Sequence, residues 1–215
     1  MEIGTILDLA NQQLEDIGAI TWPPDLLIRY LNAGVLEIIN LKPDAYPTTK
    51  NLTLVAGAIQ TLPTGDIMIL FVDCNMGVAG DTVGKKVTGL NKEQLDELLP
   101  IWQTTTMAST EVAHVIIDPR DTKHFYVFPP QPDPVTQQLR AVVMTPPTPL
   151  ESATDTFPLD DTFMPAMADY LVYRALAEET TIPNALNKSI QFFQKFLQDL
   201  GLKTQVEKQV EAQGQ

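Results

Sequence analysis

Two stretches near the C-terminus constrain the fold more than any other part of the chain, because apolar residues recur in both at steps of three and four. They cover about residues 161–179 and about residues 184–200, and only four residues separate them. Such spacing predicts two amphipathic helices, and so short a connection turns the chain back on itself. We therefore expect a helical hairpin whose two apolar faces meet.

The second helix of this hairpin carries a regular apolar stripe, which the spacing predicts to be buried. Its members repeat at steps of four, three, four and three, and Phe193 at their centre is predicted to be fully buried: Leu186, Ile190, Phe193, Leu197 and Leu200. Phe192 and Phe196 widen this apolar face, and Gly201 then ends the helix. Ahead of the first helix lie Asp160 and Asp161, which we interpret as helix caps rather than as a catalytic acid and base.

Two further helices are predicted at the N-terminus. Apolar residues follow a helical period from residue 3 to residue 17, and Gly18 is expected to end that helix. Trp22-Pro23-Pro24-Asp25 opens the next one, since proline suits the first helical positions. This helix continues to Pro43, and Gly34 inside it indicates a close helix crossing. We expect the helices of both ends to fold together as one bundle.

The middle of the chain has the shorter apolar periods of strands. A hairpin is predicted about Ala56-Gly57, a buried strand at residues 67–72, and further strands at residues 112–117, 124–128 and 138–144. Residues 91–99 read as a brief helix capped by Asn91. The fold class is therefore α+β and mainly α, with a small, mostly antiparallel β insertion. The expected organisation is residues 1–48 and 151–201 as the bundle, 49–150 as the insertion and 202–215 as a polar arm.

Charge and composition exclude several classes of protein. A formal net charge of −13 opposes tight wrapping around nucleic acid. The longest apolar run, residues 67–72, is far shorter than the roughly 20 residues needed to span a bilayer, so we expect neither a membrane protein nor a secretory signal peptide. Cys74 is the single cysteine and cannot form an internal disulfide, which fits assembly in a reducing cytoplasm.

The sequence offers one weak candidate for a metal or catalytic cluster: His114, Asp118, Asp121 and His124. If the two flanking strands pair with Ile117 opposite His124, the histidines lie on opposite faces. Shifting the register by one residue aligns the faces but leaves the histidines roughly 13 Å apart. Neither register builds a site, and no glycine-rich phosphate loop is present. We therefore predict a protein that is not an enzyme, with no cofactor.

Residues 203–215 are too polar to bury enough surface to fold alone. They are either a frayed tail or an arm that becomes ordered on a partner. Val206 and Val210 would share one face of a helix. We predict these two as partner-binding residues, together with Lys203 and Lys208.

Several segments resemble one family, the head-to-tail adaptor (connector) proteins of tailed bacteriophages, especially of short-tailed phages. The resemblance is carried by Trp22-Pro23-Pro24-Asp25-Leu26-Leu27-Ile28-Arg29-Tyr30-Leu31-Asn32, Asn75-Met76-Gly77, Asp118-Pro119-Arg120-Asp121, Phe125-Tyr126-Val127-Phe128-Pro129-Pro130, Leu159-Asp160-Asp161, Pro165-Ala166-Met167 and Asp169-Tyr170-Leu171-Val172-Tyr173-Arg174-Ala175. It implies a structural protein of the virion neck, made in the host bacterial cytoplasm. It further implies a ring of twelve copies beneath the portal protein. Such a ring joins the portal to the tail nozzle or tail tube and continues the channel for genomic DNA, which passes without specific binding. C-terminal extensions in the family reach into the portal.

Two alternatives remain open from the sequence. One is another ring protein of the phage neck or tail, such as a tail-completion or tail-terminator protein. The other is a small hydrolase or nuclease, for which the cluster of His114, Asp118, Asp121 and His124 would have to converge.

Overall fold

The computed structural model describes residues 1–201, and within them the chain forms helices at both ends and strands in the middle. The helices are α1 (Gly4–Gln13), α2 (Pro24–Leu41), α3 (Lys92–Leu98), α4 (Met164–Ala177) and α5 (Ala185–Asp199). The strands are β1 (Pro47–Thr53), β2 (Gly57–Thr61), β3 (Met68–Met76), β4 (Val83–Lys86), β5 (Thr88–Gly89), β6 (His114–Ile117), β7 (His124–Gln131) and β8 (Gln138–Met144).

The chain divides into two compact units. A helical unit comprises Met1–Ala45 with residues 147–201, and a β unit comprises Tyr46–Pro146. Helix accounts for 36% and strand for 24% of residues 1–201, so the predicted α+β class is confirmed, whereas the description as mainly α is not.

Helix α4 lies at the centre of the helical unit and contacts α1, α2 and α5. It crosses α2 at Gly34, where a Cβ atom would lie 2.6 Å from Cδ1 of Tyr170 and 2.8 Å from Sδ of Met167. Only a residue without a side chain permits this approach. The close helix crossing predicted at Gly34 is therefore confirmed.

Helix α5 packs against α4 with one edge of the predicted apolar face. Its buried residues are Ala185, Ser189 and Phe196, and Leu200 directly after it is also buried, whereas Leu186 is 64% and Ile190 is 49% exposed. Phe193 is only half-buried. At 100° per residue, the buried face is rotated by roughly a quarter turn from the predicted stripe. The predicted burial is confirmed for Phe196 and Leu200 and wrong for Leu186, Ile190 and Phe193.

Helix α1 ends at Gln13, five residues before the predicted stop at Gly18. Glu15 takes a left-handed conformation (φ 58°), and two backbone bonds close the helix end: Asp16 N to Asn11 O, 2.9 Å, and Glu15 N to Gln12 O, 3.2 Å. This pair of bonds is a Schellman motif with glutamate where glycine is usual. Ile17, predicted to lie on the apolar stripe, is consequently outside the helix and 87% exposed.

The β unit contains two four-stranded sheets, not one small sheet. Their orders are β1-β8-β3-β4 and β2-β7-β6-β5, and only β5 and β6 run parallel. The mostly antiparallel character is thus confirmed. The predicted hairpin about Ala56-Gly57 is wrong, because β1 pairs with β8 and β2 pairs with β7 in the other sheet.

Local signals in the β unit were more reliable than the pairing of strands. Strand β8 covers the predicted residues 138–144, and β6 and β7 pair antiparallel about the predicted turn. The Asn91 side chain caps α3 by accepting hydrogen bonds from the amides of Glu93 and Gln94. Both sheets contribute to a common apolar cluster that includes Leu52, Val72, Val115, Val127 and Leu139.

Candidate interaction surfaces

The loop between α1 and α2 is held in one conformation by the carboxylate of Asp16. This carboxylate accepts hydrogen bonds from three consecutive backbone amides, those of Ile20, Thr21 and Trp22, at 2.9 to 3.1 Å. These bonds, that of Trp22 foremost, lower the pKa of Asp16. The loop holds Ile17 and Ile20 outward, each 87% exposed, while Trp22 is buried. These two exposed isoleucines make the loop a candidate contact surface.

Side-chain hydrogen bonds fix α2 to the rest of the helical unit. Asn32 both donates to the carbonyl of Leu150 and accepts from its amide, each at 2.8 Å. Tyr30 donates to Glu178 at 2.7 Å, and burial followed by this carboxylate raises the pKa of Tyr30 to about 12. Arg174 completes the group, because it bonds Glu178 and lies over the Tyr30 ring. These residues of the resembling segments therefore have structural roles.

An ion pair fixes the rotation of α5 against α4. Asp169 of α4 is fully buried, and Lys195 of α5 reaches its carboxylate oxygens at 2.9 Å. Burial raises the pKa of Asp169, and Lys195 opposes that shift. Nearby, Ser189 donates to the carbonyl of Tyr173 at 3.2 Å. In this orientation Leu186 and Ile190 are exposed, while Phe193 packs on the Tyr173 ring of α4, 4.8 Å between centroids.

The outward face of α5 is apolar and carries no charge. Leu186 and Ile190 are exposed, and Phe193 and Leu197 are partly exposed beside them. On a helical projection the flank of this stripe that faces away from α4 consists of amide side chains: Asn187, Gln191, Gln194 and Gln198. The charged residues of α5 project from the opposite side. In a chain with a net charge of −13, an uncharged helix face is a surface on which like chains can meet.

Asn75 links two edges of the β unit from a buried position. Its side-chain amide donates to the carbonyls of Val112 at 2.7 Å and Lys85 at 3.0 Å, and its oxygen accepts from the Val112 amide at 2.9 Å. The side chain is 1% exposed. The segment Asn75-Met76-Gly77 is thus a structural element of this unit.

The turn between β6 and β7 is also structural. Arg120 donates to both carboxylate oxygens of Asp118 at 2.9 Å, and it lowers the pKa of Asp118 to about 2. Asp121 accepts from the Lys123 and His124 amides and contacts the His124 ring at 2.9 Å. Hydrogen bonding to His124 is the main cause of the lowered pKa of Asp121. Both carboxylates therefore form hydrogen bonds within the turn itself.

The structure does not assemble the candidate metal or catalytic cluster. Strands β6 and β7 pair with Ile117 opposite Phe125 and His114 opposite Phe128. The register with Ile117 opposite His124 is therefore wrong, and the shifted register, which separates the histidines, is the observed one. His114 stacks on Phe128 and bonds Thr88. Residues 1–201 contain no group of three or more potential ligands placed to hold a metal ion.

The other sequence candidates are buried or cap a helix in the described part of the chain. Cys74 is buried, and burial, with the Asp73 carboxylate, raises the pKa of its thiol, which disfavours the nucleophilic thiolate. Asp160 caps the helical turn before α4 by accepting from the Thr162 amide at 2.9 Å, as predicted. Over residues 1–201, no helix is long and apolar enough to cross a membrane. The predicted partner-binding residues Lys203, Val206, Lys208 and Val210 lie outside the described residues.

Comparison with known proteins identifies the family. The family model described as SU10 adaptor protein matches residues 1–214, almost the whole chain. No curated protein matches the sequence. The match agrees with the resemblance to phage head-to-tail adaptors that the sequence segments carry. The chain therefore belongs to the SU10 adaptor protein family.

Proposed function

We propose that this protein assembles as a ring beneath the portal of a phage particle, joins the portal to the tail nozzle or tail tube, and continues the DNA channel. The observation that carries the proposal is the match of nearly the whole chain to the adaptor family. The resemblance described above suggests twelve copies. A protein of this kind acts by its surfaces, and no enzymatic role is proposed.

Two physical features support an assembly role. The ordered loop at Ile17 and Ile20 and the outward face of α5 are different surfaces of the helical unit, and both are apolar and exposed. A ring is built from heterologous contacts, in which one surface of each copy meets a different surface of the next. The net charge of −13 also suits a conduit, since acidic groups facing a channel would repel passing DNA.

The C-terminal segment is proposed to bind the portal. Residues 203–215 are polar, and Val206 and Val210, with Lys203 and Lys208, are the residues offered for this contact. A segment that becomes ordered only on docking can cover a large surface of its partner.

The experiment is reconstitution with purified portal rings, read by sedimentation and electron microscopy. Binding to portal rings without any tail protein is the expected result. Capping of tail tubes without affinity for portal would instead identify a tail-completion or terminator protein. A variant lacking residues 203–215 is compared with the full chain, and equal binding of the two would refute the role of the segment while leaving the adaptor role intact.

A further inference from the structure

We propose that, in the ring, the loop carrying Ile17 and Ile20 of each copy docks on the outward face of α5 of the neighbouring copy. The inference rests on the proposed ring and names the two surfaces that form its subunit contact. The outward face is defined by Leu186, Ile190, Phe193 and Leu197.

The exposure of both surfaces is a consequence of specific bonds in the fold. Asp16 holds the loop with three amide bonds, and the Asp169–Lys195 pair sets the rotation of α5. Isoleucine pointing into water and leucine on a bare helix face gain free energy when they are covered, at about 25 cal/mol per Å². Since both elements are held by internal bonds, covering them costs little ordering entropy.

Charge favours a second copy as the occupant of the helix face. Copies with a net charge of −13 repel each other, so they are expected to meet where neither surface is charged. Residues 17–24 contain no charged residue, and neither does the outward face of α5 with its amide flank. Asp16 is partly buried and is bonded to the loop's own amides. Glu15 and Asp25 lie exposed at the ends of the loop, and they would find amide donors rather than carboxylates on that flank.

The area of the contact argues for a ring rather than a free dimer. A 15-residue helix is about 22 Å long and about 10 Å wide, which gives a footprint of about 220 Å². Stable interfaces bury about 800 Å² on each partner. One such contact is too small to hold two copies in solution. Copies already bound to the portal are held at high effective concentration, and there the same contact can form.

The test uses pairs of single-cysteine proteins in a Cys74→Ala background. Ile17→Cys protein is mixed with Leu186→Cys protein on portal rings, and a short bismaleimide is added. The matched control replaces Leu186→Cys by Lys188→Cys, because position 188 is exposed and points about 160° away from position 186. The expected result is at least ten-fold more 17–186 product than 17–188 product, with little 17–17 or 186–186 product.

Several outcomes would overturn the inference. The inference fails if positions 186 and 188 give equal yields, if a 17–17 or 186–186 product dominates, or if portal-bound copies give no cross-link. In each of these cases the observed portal binding still supports the proposed function. If the chain does not bind portal, the proposed function fails, and the inference, which rests on the ring, fails with it. If deletion of residues 203–215 exposes a previously protected Leu186→Cys thiol in the monomer, the chain's own C-terminal segment occupies the face and the inference is refuted.

Discussion

Replacing Phe196 by alanine should destabilise the helical unit far more than replacing Phe193. Phe196 is 0% exposed, and its ring lies 5.2 Å from that of Tyr170, centroid to centroid. Truncation of a fully buried phenylalanine costs about 3–5 kcal/mol. Phe193 is half-buried and contacts Tyr173 at 4.8 Å, so part of its area stays in water in either state. We expect its loss to cost about half as much.

The assay exploits one buried tryptophan in each unit. Trp22 lies in the helical unit and Trp102 in the β unit. Urea unfolding is followed by fluorescence in a Trp102→Phe background, so that Trp22 reports the helical unit alone. With a slope of about 2 kcal/mol per molar urea, Phe196→Ala should lower the midpoint by about 1.5–2.5 M.

Leu186→Ala serves as the control for this comparison. Its side chain is 64% exposed, and replacement should change stability by less than about 0.5 kcal/mol. Equal losses for Phe193→Ala and Phe196→Ala would refute the assigned rotation of α5, as would a large loss for Leu186→Ala. The complementary Trp22→Phe background reports whether the β unit unfolds separately. The organisation into separate domains stays a prediction until that measurement.

Three further predictions concern single residues, each measured by urea unfolding. Gly34→Ala should destabilise the helical unit by about 1 kcal/mol net, because the clash with the Tyr170 ring, costing about 1–3 kcal/mol, outweighs a helix-propensity gain of about 1 kcal/mol; a stabilised variant would contradict this. Asn75→Ala should destabilise the β unit by about 2–4 kcal/mol, because the backbone groups of Lys85 and Val112 lose their partner. Asn51 is exposed, and Asn51→Ala should cost much less. The pKa of Asp118 is lowered to about 2, so the ionised carboxylate stabilises the fold above pH 4, and this stabilisation is lost as the pH falls towards 2. Asp118→Asn should therefore reduce the loss of stability over this pH range. An unchanged dependence of stability on pH would contradict the prediction.

A prediction on association follows from the small contact area. The purified chain should sediment as a monomer or weak oligomer at moderate salt, because charge repulsion opposes association and one small apolar contact does not overcome it. Stable rings of the isolated protein would contradict this expectation.

Local chemistry made parts of this fold predictable from the sequence. Pro23 and Pro24 mark the start of α2, and Asn91 caps α3, because these residues act on backbone groups a few positions away. The strand pairing was not predictable in the same way. Strand β1 lies close in sequence to β2, yet it finds its partner about 90 residues later in β8. Nothing within a short window specifies which sheet a strand joins.

The two errors in the helical unit have a common physical origin. At the end of α1 a glutamate, not a glycine, takes the left-handed position, and Asp16 then binds three amides further along. In α5, Lys195 bonds the buried Asp169 of α4, and this bond favours the observed rotation of α5 about its axis. In both places polar bonds override the apolar period on which the prediction relied.

These two departures from the apolar pattern expose apolar side chains in two places, at the loop after α1 and on α5. A helix that buried its best stripe would place Leu186 and Ile190 against α4, and a longer α1 would carry Ile17 on its own stripe. Instead, polar bonds of Asp16, Asp169 and Lys195 hold these side chains in water. Local rules are most often broken at sites that serve a function. The exposure of these residues is therefore best explained by a partner that covers them, and in a protein proposed to form a ring, the neighbouring copy brings both surfaces at once.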